Sequence, residues 1–349
     1  MVGMSGGVDS SVAAAVLLAD GHDVVGVTMR LWGGDSDTGC CSVSDVDDAR
    51  RVADHLGIDH VVFNFSDDFD THVVGPYVDG HQQGITPNPC IECNRHLKFE
   101  RLAERATLLG FDAVATGHHA RIGRRNGRWT LERGADIDKD QSYVLHMATQ
   151  DTLAHTLLPI GNMHKNEVRA RARELGLRTA GKPDSQDVCF IRSDEGRVRF
   201  LGDRIPLRRA RVIDSAGVDL GEVESVEAVT IGQRRGLGLV GGGPVRYVVD
   251  IDHSAPDQPV VVVGGHDELL RDTMVVRTMT WTDEPIVGAV LVQVSAHGAP
   301  MSAQVGGPDS EGNYRITTDA PHRRVAPGQS AVLYDRDDRC VLGGGVVIS

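Results

Sequence analysis

The sequence predicts an α/β protein that begins with a doubly wound parallel sheet, continues with a small mixed or β-rich central domain and ends with an antiparallel β-barrel. Three observations support this prediction. In the first 120 residues, strand-like apolar runs alternate with helical segments, which is the pattern of βαβ units. Helical periodicity largely ends near residue 193, and roughly six strand-like segments occupy residues 273–349. We therefore predict domains at residues 1–193, 194–271 and 272–349.

The N-terminal sheet is predicted from three apolar segments, residues 22–32, 59–65 and 112–117. Runs rich in Val and Phe are typical of parallel strands that are buried on both faces. The helical segments between them each end at a glycine, as helices commonly do. A further helix is predicted at residues 164–175, and the pair Asn126-Gly127 predicts a β-hairpin inserted at the edge of this sheet.

Composition excludes several classes of protein. The 349 residues carry a net charge of −13, so the long-range field repels polyanions and any nucleic-acid binding must be local. No apolar run approaches the roughly 18 residues that span a bilayer, and the N-terminus does not have the pattern of a signal peptide. A cytoplasmic protein without membrane contact is expected. Its six cysteines then favour thiol, metal or catalytic roles over a disulfide framework.

The segment SGGVDS (5–10) lies between a short predicted strand and a helix. Gly6 and Gly7 let the backbone approach an oxyanion, and the N–H groups and dipole of the following helix favour negative charge. The segment is neither a Walker A loop nor a dinucleotide-binding fingerprint. A phosphate cradle is predicted, with Asp9 as a ligand of Mg²⁺ on the bound phosphates. The alternative is a glycine-rich turn with no ligand.

Two cysteine-containing segments are the other candidates for chemistry. Cys90 and Cys93 form a CxxC just before a predicted helix, whose N-terminus stabilises a thiolate, and Cys189 stands alone in KPDSQDVCFI. Taken singly, the first segment fits an inert turn equally well, and Cys189 fits a small buried apolar residue. No second pair of Cys or His stands at zinc-finger spacing, which argues against structural zinc. No role is assigned to Cys40, Cys41 and Cys340.

In this order, the motifs resemble those of the PP-loop ATP pyrophosphatases and, among them, the tRNA-specific 2-thiouridylases, which sulfurate the wobble uridine of tRNA. The matching segments extend over nearly the entire chain and are SGGVDSS, TPNPCIECN, ATGHHA, DKDQSYVL, KPDSQDVCFI, TIGQRRGLG and PGQSAVLY. The resemblance implies a Rossmann-like domain that binds Mg·ATP and releases AMP and pyrophosphate. It also implies a tRNA substrate, namely the tRNAs for Lys, Glu and Gln. Only Met1 to Gly3 precede the loop, so a shortened first strand is expected.

The resemblance implies roles for individual residues. Cys93 is the expected nucleophile, and Cys189 is the expected carrier of a persulfide. The expected ATP contacts are Gly3, Met4, Ser5, Gly6, Gly7, Val8, Asp9, Ser10, Met29 and Gly117. The expected contacts to tRNA or its target base are Asn88, Pro89, Cys90, His118, Lys139, Asp140, Gln141, Ser295, Ala296 and Gln329.

The implied reaction has two stages. Transfer of AMP to the C2 oxygen of uridine turns a poor leaving group into a good one. A persulfide on Cys189, loaded by a cysteine desulfurase or a persulfide relay protein, then supplies sulfur. Delivery is either direct or as hydrosulfide after attack by Cys93, and a Cys93–Cys189 disulfide remains.

Two positions depart from the family pattern and leave alternatives open. Cys90 stands where relatives often have Asp, a candidate acid or base, and residues 295–297 replace a common Arg-Tyr-Arg-like tRNA contact. Cys90, Cys93 and Cys189 suggest an alternative in which three thiolates hold an iron–sulfur cluster. Further alternatives are a PP-loop ligase acting on a small molecule, which would need neither Cys93 nor Cys189, and a nucleotide sensor with an RNA-binding barrel.

Local clusters of arginine are the candidate phosphate contacts of this acidic chain, since phosphate contacts supply most nucleic-acid affinity. Each cluster taken alone is explained equally well as a solvated surface. Stacking surfaces for a base drawn out of its stack are predicted at His118, His119 and Tyr143. The clusters are Arg121, Arg124, Arg125 and Arg128; Arg204, Arg208, Arg209 and Arg211; Arg234 and Arg235; and Arg323 and Arg324.

Overall fold

The computed structural model describes residues 1–31, 43–184, 188–191, 196–239, 243–253 and 258–349. Cys40 and Cys41, to which no role was assigned, lie outside these residues. In the described part, the strands form a five-stranded, a four-stranded and an eight-stranded sheet. None of the described helices has the length and apolar character that a bilayer crossing requires.

The elements follow one another along the chain with short connections. The strands are β1 (Val2–Gly3), β2 (Val25–Arg30), β3 (Asp59–Asn64), β4 (Val114–Ala115), β5 (Ala120–Arg125), β6 (Arg128–Arg133), β7 (Thr156–Leu157), β8 (Ala210–Asp214), β9 (Asp219–Val223), β10 (Tyr247–Asp252), β11 (Val260–Gly264), β12 (Leu270–Trp281), β13 (Gly288–Gln293), β14 (Met301–Pro308), β15 (Tyr314–Arg323), β16 (Ser330–Tyr334) and β17 (Cys340–Val347). The helices are α1 (Val8–Ala19), α2 (Val43–Leu56), α3 (Ser66–Phe69), α4 (Gly75–Gln82), α5 (Pro89–Glu92), α6 (Leu102–Leu108), α7 (Gln150–Ala154), α8 (Lys165–Glu174) and α9 (Gly196–Gly202). Two π-helical segments, Asp70–Val74 and Cys93–Arg101, join α3 to α4 and α5 to α6.

The N-terminal sheet is parallel, with strand order β3-β2-β1-β4-β7, as the alternating pattern predicts. The short β1 lies at its centre, where Val2 pairs with both Gly26 and Ala115. Helices cover both faces: α1 and α8 pack on one apolar cluster, while residues of α3, α4 and α6 pack on another. The sheet is therefore doubly wound, and the carboxyl end of β1 opens at the position where such sheets bind ligands. The edge strand β7 was not predicted.

The central domain is built on a mixed sheet with strand order β10-β11-β8-β9. Strand β11 runs parallel to β8, and the other pairs are antiparallel. Its apolar core consists of small branched residues such as Val212, Val248 and Val261, all fully buried. The prediction of a small mixed domain is confirmed.

Six strands, β12 to β17, form the C-terminal antiparallel barrel, which β12 closes by pairing with β17. The predicted hairpin is also present, with its turn at Asn126 and Gly127. Its predicted position at the edge of the parallel sheet is wrong, because β6 pairs with β17 through Cys340 and Glu132. The start of β17 extends beyond the barrel, and the hairpin continues the barrel sheet there. The barrel sheet therefore reaches back to the N-terminal part of the chain.

Candidate active site

The predicted phosphate loop lies between the central strand β1 and helix α1. Gly6 has φ +70°, and a Cβ there would collide with the backbone of Asp45, so this position requires glycine. The Ser10 hydroxyl accepts from the Ser5 N–H and donates to the Gly7 carbonyl, each at 3.2 Å. Gly7 is the N-cap residue, so the positive end of the α1 dipole faces the loop. This geometry suits a phosphate group.

Gly117 closes the loop from the neighbouring strand β4. A Cβ at this position would lie 2.5 Å from the backbone nitrogen of Ser10 and 2.6 Å from the carbonyl carbon of Asp9. These atoms belong to the first turn of α1 and have no flexible side chain that could move aside. Gly117 therefore allows β4 and the phosphate loop to approach closely.

We expect Gly117→Ala to weaken ATP binding by about 10-fold or more, because an added methyl group in a tight contact costs roughly 1–3 kcal/mol and here displaces the loop. Calorimetric titration with Mg·ATP measures the effect. The control is Gly181→Ala, since a Cβ at Gly181 meets nothing within 4 Å. Wild-type ATP affinity in Gly117→Ala would contradict this view of the loop.

Asp9, the predicted Mg²⁺ ligand, lies in the first turn of α1 and is bonded to two basic side chains. Lys165 Nζ donates to both of its carboxylate oxygens, at 2.8 and 2.7 Å, and His119 Nε2 lies 3.3 Å from Oδ1. Burial alone would raise the pKa of Asp9, but the hydrogen bonds from His119 and Lys165 outweigh it and hold the pKa below its ordinary value. The carboxylate is therefore ionised near neutral pH.

Asp184 connects the phosphate loop to the segment that carries Cys189. Its carboxylate accepts from Lys165 at 2.9 Å, from Lys139 at 2.8 Å and from Arg169 at 2.7 Å. Burial acts against ionisation, but these cations lower the pKa of Asp184 strongly. Because Lys165 binds Asp9 and Asp184 together, the loop and the cysteine segment belong to one charged cluster.

All four lysines of the chain lie around this site, a fact that sequence analysis missed. Lys139 and Lys165 bind Asp184, while Lys182 Nζ binds Asp45 Oδ1 at 2.6 Å, and the backbone of Asp45 lies against Gly6. Lys98 Nζ lies 3.3 Å from the Nε2 of His118, the residue after Gly117. The signal was present in the composition: only four of 36 basic residues are lysine. Their clustering indicates that a compact ammonium charge is required here, because arginine replaces lysine everywhere else.

His118, a predicted tRNA contact, is 6% exposed and enclosed by polar partners. Lys98 has only donors, so the His118 Nε2 accepts from it and Nδ1–H donates to the Thr116 hydroxyl at 2.7 Å. Burial, followed by the charges of Lys98 and His119, holds the pKa of His118 well below its ordinary value. The ring is therefore neutral. With His118, His119 and Tyr143 all buried, the predicted stacking surfaces are wrong for this conformation.

Cys90 and Cys93 lie inside a helix, and their predicted position before the helix is wrong. Asn88 is the N-cap residue and accepts from the Cys90 N–H at 3.1 Å, and Pro89 is the first helical residue. Cys93 begins the π-helical segment that leads into α6. Both thiols still belong to the first turns of a helix, where the dipole favours a thiolate. π-Helical segments occur frequently at functional sites.

Cys93 and Cys189 pack against the same apolar cluster, although they are distant in sequence. Next to Cys189, the Phe190 ring lies in edge contact with Phe69 and Tyr77, at centroid distances of 5.7 and 5.4 Å. Both cysteines are half-buried thiols, and neither is in a disulfide. The fold therefore brings the two sulfur-bearing segments to the same region.

The residues present fit one of the two predicted metal sites. In the described part of the chain, no three Cys, His, Asp or Glu side chains converge as a metal-binding group, and this holds for Cys90, Cys93 and Cys189. The arrangement does not fit an iron–sulfur cluster. Mg²⁺ needs only one or two carboxylates when phosphates supply its other ligands, and ionised Asp9 provides one at the phosphate loop.

A cleft of about 1120 Å³ opens where the three parts of the chain meet. Ser295 and Gln329, two predicted tRNA contacts, line it together with Thr86. The Gln329 side chain donates to the Thr86 carbonyl at 2.6 Å, and Asn88, two residues further, caps the helix that bears Cys93. No acidic residue is among the described residues that line the cleft, which makes it positively charged. The cleft contains the arginines Arg197, Arg234, Arg235, Arg323 and Arg324.

Several other predicted tRNA contacts have internal bonding roles. Asp140 accepts from buried Arg133 at 2.8 Å, and Gln141 Oε1 accepts from the His119 N–H at 2.8 Å. The carbonyl oxygens of Ser295 and Ala296 accept from Gln293. Lys139 is exposed and bonded to Asp184. No tRNA contact is visible in the chain alone, so these assignments stay predictions.

The predicted ATP contacts surround the phosphate loop. Gly3 ends β1, and Met4 and Val8 are buried beneath the loop in the apolar cluster under α1. Met29 is buried in β2, the neighbouring strand. Their contact with ATP stays a prediction.

Three family models match the chain. The model described as a tRNA methyl transferase HUP domain matches residues 1–193, a tRNA methyl transferase PRC-barrel domain matches residues 198–264, and an aminomethyltransferase beta-barrel domain matches residues 271–347.

Curated relatives match over the whole length. The chain is 45% identical over 353 residues to the tRNA-specific 2-thiouridylase of Herpetosiphon aurantiacus, covering 99% of this chain and 97% of the relative. It is 44% identical over 360 residues to that of Desulforamulus reducens, covering 99% and 96%. Among solved structures, the NMN synthetase of Francisella tularensis is 20% identical, with a TM-score of 0.34 over 53% of this chain and 65% of that chain, too weak a similarity for a functional inference.

Proposed function

The chain belongs to the tRNA-specific 2-thiouridylase family, and we propose that its phosphate loop, its two cysteines and its arginine-lined cleft are the parts that carry out the reaction. The protein is a tRNA-uridine 2-sulfurtransferase of the PP-loop type, which uses ATP to form 2-thiouridine in tRNA. One observation carries the assignment of the site. Lys165 binds both Asp9 in the phosphate loop and Asp184, five residues before Cys189.

In the first stage, ATP binds with its phosphates at the glycine loop and the positive end of α1. The C2 oxygen of uridine attacks the α-phosphorus, an O–P bond forms, and pyrophosphate leaves. Mg²⁺, held by Asp9 and phosphate oxygens, supplies charge neutralisation when bound. Burial keeps His118 neutral next to the loop, where it positions Lys98 without adding a charge of its own.

In the second stage, the persulfide on Cys189 attacks C2 and AMP leaves with the oxygen. Cys93 then attacks the Cys189 sulfur, the S–S bond of the persulfide breaks, and its outer sulfur remains on the base. If Cys93 attacks first, hydrosulfide is released and reacts with C2 instead. Both routes oxidise two thiols to one Cys93–Cys189 disulfide, which an external thiol reductant must reduce before the next cycle.

The finer assignments concern partners and location. The substrates proposed are the tRNAs for Lys, Glu and Gln, with the wobble uridine as target. The sulfur donor proposed is a cysteine desulfurase or a persulfide relay protein. Both imply activity in the cytoplasm, where tRNA and ATP are present.

Reconstitution tests the proposed function. Purified protein, tRNA transcript, Mg·ATP and a persulfide donor should yield 2-thiouridine, detected by nucleoside mass spectrometry, with AMP and pyrophosphate in equal amounts. Release of pyrophosphate without 2-thiouridine, in the presence of the donor, would contradict the proposal. Thiolation that proceeds only with bound iron, with visible absorbance of the anaerobically purified protein, would favour the cluster alternative.

The arginine-lined cleft predicts a salt-dependent contribution to tRNA binding. Arg234 and Arg235 are exposed, and neither has an acidic partner among the described residues. We expect the double variant Arg234→Ala/Arg235→Ala to weaken tRNA binding and to lower the slope of log affinity against log salt by about 1 to 2. The control is Arg209→Ala, an exposed arginine that is paired with Glu224 outside the cleft. A slope unchanged from wild type would remove the cleft from the tRNA-binding surface.

A further inference from the structure

Lys165 is the first residue of α8, and its side chain is buried at the phosphate loop. Its ammonium group donates to both oxygens of Asp9, at 2.8 and 2.7 Å, and binds Asp184 at 2.9 Å. Its backbone N–H donates to Asp136 at 2.8 Å, which fixes the start of the helix. A buried lysine is therefore held in place on two sides and directed at the loop.

These bonds conflict with a role for Asp9 as a metal ligand. A carboxylate that accepts from an ammonium group on both oxygens has no electron pair in a favourable direction for Mg²⁺. A polyphosphate bound at Gly6 and Gly7 would place further negative charge within reach of the same ammonium group. Lysine suits an exchange between such partners, because it is a compact charge with three rotatable donors on a flexible stem.

We propose that Lys165 exchanges Asp9 for the pyrophosphate portion of ATP: its ammonium group binds the phosphate oxygens, stays anchored to Asp184, and releases Asp9 to Mg²⁺. This inference rests on the proposed function and assigns one more residue to ATP recognition. In the nucleotide-free protein, the Lys165–Asp9 pair neutralises both groups. Nucleotide and metal then replace the two halves of that pair.

Other cations nearby lack this geometry. Arg169, one turn later on α8, binds Asp184 and the carbonyl oxygens of Ala180 and Lys182, and makes no printed bond to Asp9 within the described residues. Lys139 is exposed and binds Asp184 alone among the described acidic residues. Among the described basic side chains, Lys165 is thus the one bonded to the loop carboxylate and to Asp184 together.

The test compares Lys165→Met with the matched variant Arg169→Met in calorimetric titrations with Mg·ATP, inorganic pyrophosphate and AMP. A lost charge-assisted hydrogen bond costs about 2 kcal/mol, which corresponds to about 30-fold in affinity. We expect Lys165→Met to lose about 30-fold for ATP and for pyrophosphate and less than about 3-fold for AMP. Arg169→Met removes one charge from the same helix and should change ATP affinity by less than about 3-fold.

The comparison of ligands separates binding from folding. If Lys165→Met weakens AMP as much as ATP, its role is structural and the inference is wrong. Unchanged ATP and pyrophosphate affinity would overturn it as well. A wild-type protein that does not bind Mg·ATP would instead contradict the proposed function itself.

Discussion

Replacing Cys189 by serine is expected to abolish 2-thiouridine formation, with a loss of at least about 1,000-fold, while pyrophosphate release continues. A serine oxygen cannot carry the persulfide, whereas the phosphate loop and its ion pairs do not involve the cysteine sulfur. Single-turnover assays with a persulfide donor, in which both 2-thiouridine and pyrophosphate are quantified, measure the two stages separately.

The matched control for this variant is Cys340→Ser. Cys340 is a buried thiol at the start of β17, and burial together with Asp335 raises its pKa to about 11, so it is inert as a nucleophile at neutral pH. This variant should thiolate tRNA at the wild-type rate. If Cys189→Ser still produces 2-thiouridine from a persulfide donor, Cys189 does not carry the sulfur.

The second large effect is expected at the phosphate loop. Asp9→Asn should reduce pyrophosphate release by roughly 100- to 1,000-fold, because a neutral amide is a poor ligand for Mg²⁺ and developing charge on the phosphates is no longer neutralised. Asp47→Asn is the control, since Asp47 is an exposed residue of α2 paired with Arg50 at 3.4 Å. Pyrophosphate release at the wild-type rate in Asp9→Asn, at saturating Mg·ATP, would remove Asp9 from the metal role.

Local patterns predicted much of the fold. Alternating strands and helices predict a parallel sheet because both periodicities are local, and the barrel strands were found in the same way. The contact between the hairpin and the barrel was not predictable from either segment. It depends on a pairing of Glu132 with Cys340, more than 200 residues apart, and neither segment carries a signal for its partner.

The start of the cysteine helix was predictable in principle. Asn88 followed by Pro89 is a typical N-cap and first helical residue, which places Cys90 and Cys93 inside the helix. The proline-rich approach concealed this signal. The charged cluster was harder to predict, because Asp9, Lys165 and Asp184 meet only through the packing of α8 against α1 and of the segment after α8 against the loop.

The account depends most on the transfer of sulfur between the segments that carry Cys93 and Cys189. The direct measurement is peptide mass spectrometry, without reduction, after one turnover with persulfide-loaded protein, tRNA and Mg·ATP and with no reductant. We predict a crosslinked peptide pair containing Cys93 and Cys189, in an amount equal to the 2-thiouridine formed. Formation of 2-thiouridine with both cysteines recovered as thiols would contradict the mechanism.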